Sequence, residues 1–328
     1  MEVNFVKRVL DAGGIIRPLL VPAEYTEGTG LCNPSVYIDG DRILVNLRHV
    51  QYNLYHNEGR KEFHSRWGPM TYMHPEDDLK LRTINYLCIL DQELNLVRGS
   101  KVDTSRLDVT PVWDFVGLED ARVVRWDSKL YLIGVRRDTK TNGEGRMEFS
   151  EIVEHEDGVR ELSRTRIEPP NDPNSYCEKN WMPITNQPFR FVKWSNPTEV
   201  VEVDLATKSS KIIHQGQNYL QGYRDFRGGS QVIPWEDGYI AVTHEVDLWH
   251  NEVGNKDCHY YHRFLVWDKD WNLVKISKEF KYLTGHVEFT CGIAEYQGDI
   301  LITFGFQDNA AYILRTPMKV IEDFLNGH

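Results

Sequence analysis

The segment Gly117-Leu118-Glu119-Asp120-Ala121-Arg122 sets two acids and an arginine almost side by side. A guanidinium beside a carboxylate holds it ionised, and neighbouring carboxylates can divide acid and base roles between them. Asp120 and Glu119 are therefore the candidate catalytic groups. Polar residues stand at matching places elsewhere, each at the edge of an apolar run. Asn33 precedes one run and Arg48 ends the next, while Lys179, Asn180 and Trp181 precede another. Arg227, Ser230 and Gln231 flank Gly228-Gly229, and His244-Glu245 closes the run that follows. Glu288 and Asp308 bracket the last run. With Arg122, these residues form the candidate substrate-binding set. Arg48, Lys179 and Arg227 suit a phosphate-bearing ligand, because guanidinium groups pair with phosphate oxygens and an ammonium binds them as a point charge.

Plainer readings stand beside these. Glu119 and Arg122 could be a structural ion pair, Lys179 a solvated lysine, Gly228-Gly229 a simple turn and Trp181 a core residue. His244 beside Glu245 lacks a second ligand at helical spacing, and no Cys-x-x-Cys pair occurs, so no metal is expected. No P-loop, Rossmann glycine pattern or nucleophile-elbow serine is present, and no cofactor is expected.

Hairpins must position these groups. An apolar strand, a tight polar turn and a second apolar strand recur from Ser35 to Arg48, from Ala121 to Ile133, from Met182 to Val192, from Ser230 to Thr243 and from Cys291 to Phe304. Turns such as Asp39-Gly40-Asp41 between alternating apolar residues are strong hairpin signals. A second hairpin type alternates with the first, around Asp91 to Asn95, Asp204 to Lys211 and Asp268 to Asn272. Two hairpins make a four-stranded unit, and five units fit the chain. The spacing predicts an all-β, five-bladed β-propeller forming one domain over residues 1–328, with a pair of β-sandwiches as the rival fold. Blades are expected to start near residues 33, 119, 179, 228 and 288, with a long polar insertion, 51–82, in blade one. Thr316-Pro317 before Met318-Lys319-Val320-Ile321 predicts a short C-terminal helix. In a propeller the inner strands line a central channel, so the polar groups preceding them would converge there.

Composition narrows the functional classes. Over 328 residues, 41% are hydrophobic and 27% charged, as for a chain with a sizeable core. A net charge of −11 without a Lys/Arg-rich run argues against a nucleic-acid partner. No apolar stretch is long enough to span a membrane, and the N-terminus lacks a signal-peptide core. The five cysteines are widely spaced, so reduced thiols and a cytoplasmic location are expected.

The blade pattern, Asn33-Pro34 near the start and the G-x-E-D-x-R motif at Gly117–Arg122 together resemble glycoside hydrolase family 130 and the related glycosyltransferase family 108. These are mannoside phosphorylases, β-mannosidases and β-mannosyltransferases, and the resemblance covers nearly the whole chain. It implies that Asp120 is the proton donor or its base counterpart and that Glu119 and Arg122 shape the sugar subsite. It also implies that Arg48 contacts sugar or phosphate and that Asp308 holds sugar hydroxyls. Lys179 matches the family's blade-three lysine. Two features depart from the pattern. Ala121 replaces a proline, and the phosphate-binding His-Arg pair of the phosphorylases is absent near Phe191-Val192-Lys193-Trp194. The preferred expectation is inverting glycosyl transfer from a sugar phosphate or nucleotide sugar to a sugar acceptor. A β-mannosidase-like hydrolase and a non-catalytic glycan-binding propeller are the rivals.

Overall fold

The computed structural model describes residues 4–26, 29–55, 71–73, 78, 80–217, 219–250, 252 and 256–327. The chain opens with α1 (Phe5–Asp11), capped by the Asn4 side chain, then β1 (Ile15–Pro18) and the single turn α2 (Ala23–Thr26). Blade one begins with β2 (Leu31–Asp39) and β3 (Arg42–Val50). A small hairpin of β4 (Asn53–Tyr55) and β5 (Thr71–Met73) follows, and β6 (Leu81–Leu90) and β7 (Leu96–Asp103) complete the blade. Most of the expected insertion, residues 56–70, 74–77 and 79, lies outside the described residues. After β8 (Phe115–Val116), blade two runs through β9 (Glu119–Trp126), β10 (Lys129–Arg136), β11 (Arg146–His155) and β12 (Gly158–Arg166).

Blade three is β13 (Met182–Pro183), β14 (Arg190–Ser195), β15 (Thr198–Asp204) and β16 (Ser209–Gln215). Blade four is β17 (Ile233–Trp235), β18 (Gly238–His250), β19 (Lys256–Trp267) and β20 (Leu273–Ile276). Blade five is β21 (Glu288–Tyr296), β22 (Asp299–Phe306) and β23 (Ala310–Pro317), with β1 from the N-terminus as its outermost strand. Helix α3 (Met318–Leu325) ends the fold. The chain is a five-bladed β-propeller with a short C-terminal helix.

Strand geometry explains how the ring closes. Successive side chains on a strand point to opposite faces, and each blade is covered on both. Leu44 therefore packs with Val123 and Leu132 of blade two, while Val45 packs with Leu301 and Ile313 of blade five. Val124 meets Phe191 of blade three, Val192 meets Ala241 and Leu265 of blade four, and Val242 meets Ile293 and Ile302 of blade five. One apolar cluster fills each gap between neighbours, so the core is a ring of wedges. Inward, Gln231 donates to Val36 O and Val123 O and accepts from the Ile293 amide, tying three inner strands at one point.

Candidate active site

A cavity of about 360 Å³ lies at the end of the ring where the inner strands begin. Its lining includes Asn33, Arg48, Glu119, Asp120, Lys179, Asn180, Arg227, His244 and Asp308. All five blades contribute. A larger hollow of about 670 Å³ on blade one, around Tyr25 and Tyr86, gathers only Lys101 and Asp157 as charged groups. The central cavity gathers far more charge than this hollow does.

The backbone aims these groups inward at a cost. Asn33 (φ 44°), Asp120 (φ 50°), Asn180 (φ 60°) and Asp308 (φ 49°) all adopt the left-handed region. That region is uncommon for residues with a Cβ, is visited most readily by Asn and Asp, and clusters at functional sites. The register of β2 with β3 shifts between Cys32 and Ser35, and that of β10 with β9 between Ile133 and Val135. Such bulges re-aim a side chain at the end of a strand.

Asp120 sits in a web of donors. Its Oδ1 accepts from Arg48 Nη1 at 2.8 Å and from Asn33 Nδ2 at 2.8 Å. Arg48, 4% exposed, is held in turn by Thr83 Oγ1 (3.1 Å) and Tyr52 Oη (3.0 Å). Burial pushes the Asp120 carboxyl up, but Arg48, Arg122, the Asn33 amide and Lys179 outweigh it and hold the group below the usual carboxylate range. Asp308 goes the other way. Burial lifts its carboxyl to about 6; Arg48 opposes the rise, and the charges of Asp120 and Glu119 add to it. Two carboxyls in one cavity are thus pushed apart, the pattern that divides base from acid. His244 is buried against Tyr260 and Phe289, and burial lowers its pKa well below the usual value, so its imidazole is neutral.

Several proposed residues lie outside the cavity lining. Arg122, 1% exposed, donates to Gly229 O at 2.9 and 2.6 Å and to Asp120 O at 2.7 Å, so it braces the backbone beneath Asp120. Trp181 is a core residue whose Nε1 donates to Glu178 at 3.0 Å. Ser230 Oγ bonds the backbone at Gln231 O and Val242 N, and Gln231 is the buried tie between blades. Glu245 is one strand position from His244, so it faces away and pairs with Arg263. Glu288 accepts from the amides of Tyr282, Leu283 and Gly285 and organises the loop before blade five.

Trp113, Phe115, Arg137, Tyr176 and Tyr260 line the cavity and were not anticipated. The aromatic pair Trp113 and Phe115 stands just ahead of Gly117, a sequence signal that was available. Where the phosphorylase pattern has a His-Arg pair, Lys193 lies between Glu178 (3.7 Å) and Glu199 (3.5 Å), and it is not part of the lining. Lys179 and Arg227 are different. Both are exposed at the cavity, and neither side chain forms an ion pair or hydrogen bond among the described residues. Their loops abut so closely that a Cβ at Gly228 would overlap the Asn180 carbonyl oxygen.

No family model matches the chain, and no curated protein matches it. Solved structures do. A β-1,2-mannobiose phosphorylase from Listeria innocua aligns with a TM-score of 0.57 at 13% identity, over 95% of this chain and 97% of that one. A mannose phosphorylase from Leishmania mexicana aligns with a TM-score of 0.53 at 12% identity, over 98% and 94%. A structure from work on glycoside hydrolases of family 130 that target β-1,2 mannosidic linkages in Candida mannan aligns with a TM-score of 0.54 at 9% identity, over 89% and 85%. The chain has the fold of the family 130 mannoside phosphorylases and the hydrolases grouped with them.

Proposed function

We propose that the chain is a divergent member of the family 130 and family 108 superfamily. In this reading it is a carbohydrate-active enzyme that transfers a glycosyl group, of mannosyl type, from a sugar phosphate or nucleotide sugar to a sugar acceptor. One observation carries the reading: among the described residues, the central cavity combines buried polar atoms that lack hydrogen-bond partners with cations that form no ion pair. Asn33 Oδ1, Glu119 Oε1 and His244 Nδ1 are buried without a hydrogen-bond partner among the described residues. An unmade hydrogen bond of this kind costs about 1–3 kcal/mol, and sugar hydroxyls would restore it. Lys179 and Arg227 offer positive charge to an anion. A ligand that meets both demands carries hydroxyls and phosphate together. The mannoside phosphorylases that share the fold support the sugar class.

The chemistry follows from the ionised Asp120. The acceptor hydroxyl forms the new C1–O bond from the face opposite the phosphate, with inversion. Asp120, directly or through a sugar hydroxyl, takes the acceptor's proton as base. The C1–O bond to phosphate breaks, and the phosphate leaves as an anion toward Lys179 and Arg227, so it needs no proton. Asp120→Asn is expected to lower turnover by ~10²–10⁴ while leaving sugar binding largely intact, read by steady-state kinetics and a binding titration. Wild-type turnover in that variant would remove Asp120 from the chemistry. Lys179→Ala and Arg227→Ala should raise KM for a phosphate-bearing donor.

Asp308 favours a second reading, hydrolysis. A carboxyl with a pKa of about 6 is in part protonated near neutrality and could protonate a departing sugar oxygen while water attacks. Release of monosaccharide from manno-oligosaccharides without any activated donor supports that reading.

A further inference from the structure

A second cavity, about 350 Å³, opens between blades one and two and shares no lining residue with the central one. The two lie back to back. Gly117 and Leu118 face the second cavity, while Glu119 and Asp120 face the first. Thr83, also in the lining of the second, accepts from Arg48 in the first.

The second cavity is lined by carboxylates that are only half used. Asp138, 6% exposed, accepts the Gly117 amide on Oδ2 at 3.0 Å, yet its Oδ1 is buried without a partner among the described residues. Glu161, 2% exposed, accepts from Arg164 Nε on Oε2 at 2.8 Å, and its Oε1 is likewise buried without a partner among those residues. The cations beside them are already engaged. Arg136 pairs with Glu148 and Asp138, and Arg164 pairs with Glu161 and Asp108. The free valences are thus acceptors; the two arginines face four carboxylates, and of the other lining cations Arg82 pairs with Asp78 while Lys101 is exposed. A ligand that fits brings hydroxyl donors and no negative charge.

We infer that the cleft between blades one and two binds a polyol, a sugar unit whose hydroxyls donate to Asp138 Oδ1 and Glu161 Oε1. The choice of a sugar among polyols rests on the proposed function. The volume matches that of the central cavity, and the Asp138–Gly117 bond links the bound unit to the segment that carries Asp120.

The test is a titration of the full chain with methyl mannoside, followed by saturation-transfer NMR and calorimetry, with and without mannose 1-phosphate. Wild type should show two binding events, one displaced by mannose 1-phosphate and one not. Glu161→Gln should weaken the undisplaced event about ten-fold or more. Val109→Trp, at a 63% exposed residue of the cleft lining, should abolish it without touching the buried charges. Both variants should keep the displaced event; Val109→Trp should also keep the wild-type melting temperature, whereas Glu161→Gln, which breaks the buried pair with Arg164, should lower it. If Glu161→Gln does not fold, Val109→Trp decides. A single event fully displaced by mannose 1-phosphate, unchanged binding in the variants, or no binding at all would mean that the cleft holds water only and would overturn the inference. Loss of one event in both variants, from a protein that neither binds mannose 1-phosphate nor turns over any donor, would uphold the cleft site while overturning the proposed function.

Discussion

Asp308 is a half-buried carboxyl whose environment works against its charge. Its pKa is about 6 in the fold against 3.8 for an unperturbed group, so the native state binds more protons than the unfolded chain between those values. Stability therefore falls as pH rises from about 4 to about 6, and near neutrality the charged group costs about 2–3 kcal/mol. Asp308→Asn should raise the melting temperature at pH 8 and leave it nearly unchanged at pH 4, while impairing sugar binding. A melting temperature unaffected at pH 8 would show that the group carries no such burden. Asp120 has the opposite sign: its depressed pKa keeps it ionised into acid, so loss of the base should not limit the rate near neutrality. Which of these residues reach the cavity was only in part legible from sequence. Standing ahead of an inner strand fixes a residue's level along the ring axis, and Asn33, Asp120, Lys179 and Arg227 are there. It does not fix the direction of the side chain. His244 and Glu245 differ by one strand position and so face opposite ways, and Arg122, two positions beyond Asp120, lies beneath the cavity instead of lining it.

At the scale of elements, the bulged strand heads and the loops between blades carry the site. The loops before β13 and β17 hold Lys179 and Arg227, and they touch backbone to backbone at Asn180 and Gly228. Gly228→Ala would force them apart, because its Cβ would overlap a carbonyl oxygen that cannot swing away. The expected result is a raised KM for a phosphate-bearing donor, with cooperative unfolding retained, read by donor-dependent kinetics and a thermal melt. Normal KM would show that the spacing of the two cations does not matter. The hairpins themselves were legible, since their turns and apolar runs are local. The bulges at Asn33 and Asp120 were not: they depend on a register shift against the partner strand, which a single strand's sequence does not record.

At the scale of the whole molecule, closure is the feature that sequence left open. Strand β1 adds to β23 from the opposite end of the chain, and Phe5 of α1 packs among Phe264, Phe280 and Phe324. Pairing so distant in sequence leaves no local pattern. Removing residues 1–19 should cost the last blade its outer strand and lower the melting temperature sharply. At the centre, Gln231→Leu would strand Val36 O, Val123 O and the Ile293 amide at about 1 kcal/mol or more each, several kcal/mol together, read as a lower urea midpoint. An unchanged midpoint would mean that the ring does not need this tie. The ring holds the central cavity that all five blades line, and the measurement that tests its role most directly is donor consumption. The protein is incubated with sugar 1-phosphates and nucleotide sugars over a panel of sugar acceptors, and phosphate or nucleotide release is followed, with Asp120→Asn as control. Release that requires an acceptor and vanishes in Asp120→Asn is the predicted result. No release from any donor, with wild-type protein still cleaving manno-oligosaccharides in water, would contradict it and make the enzyme a hydrolase.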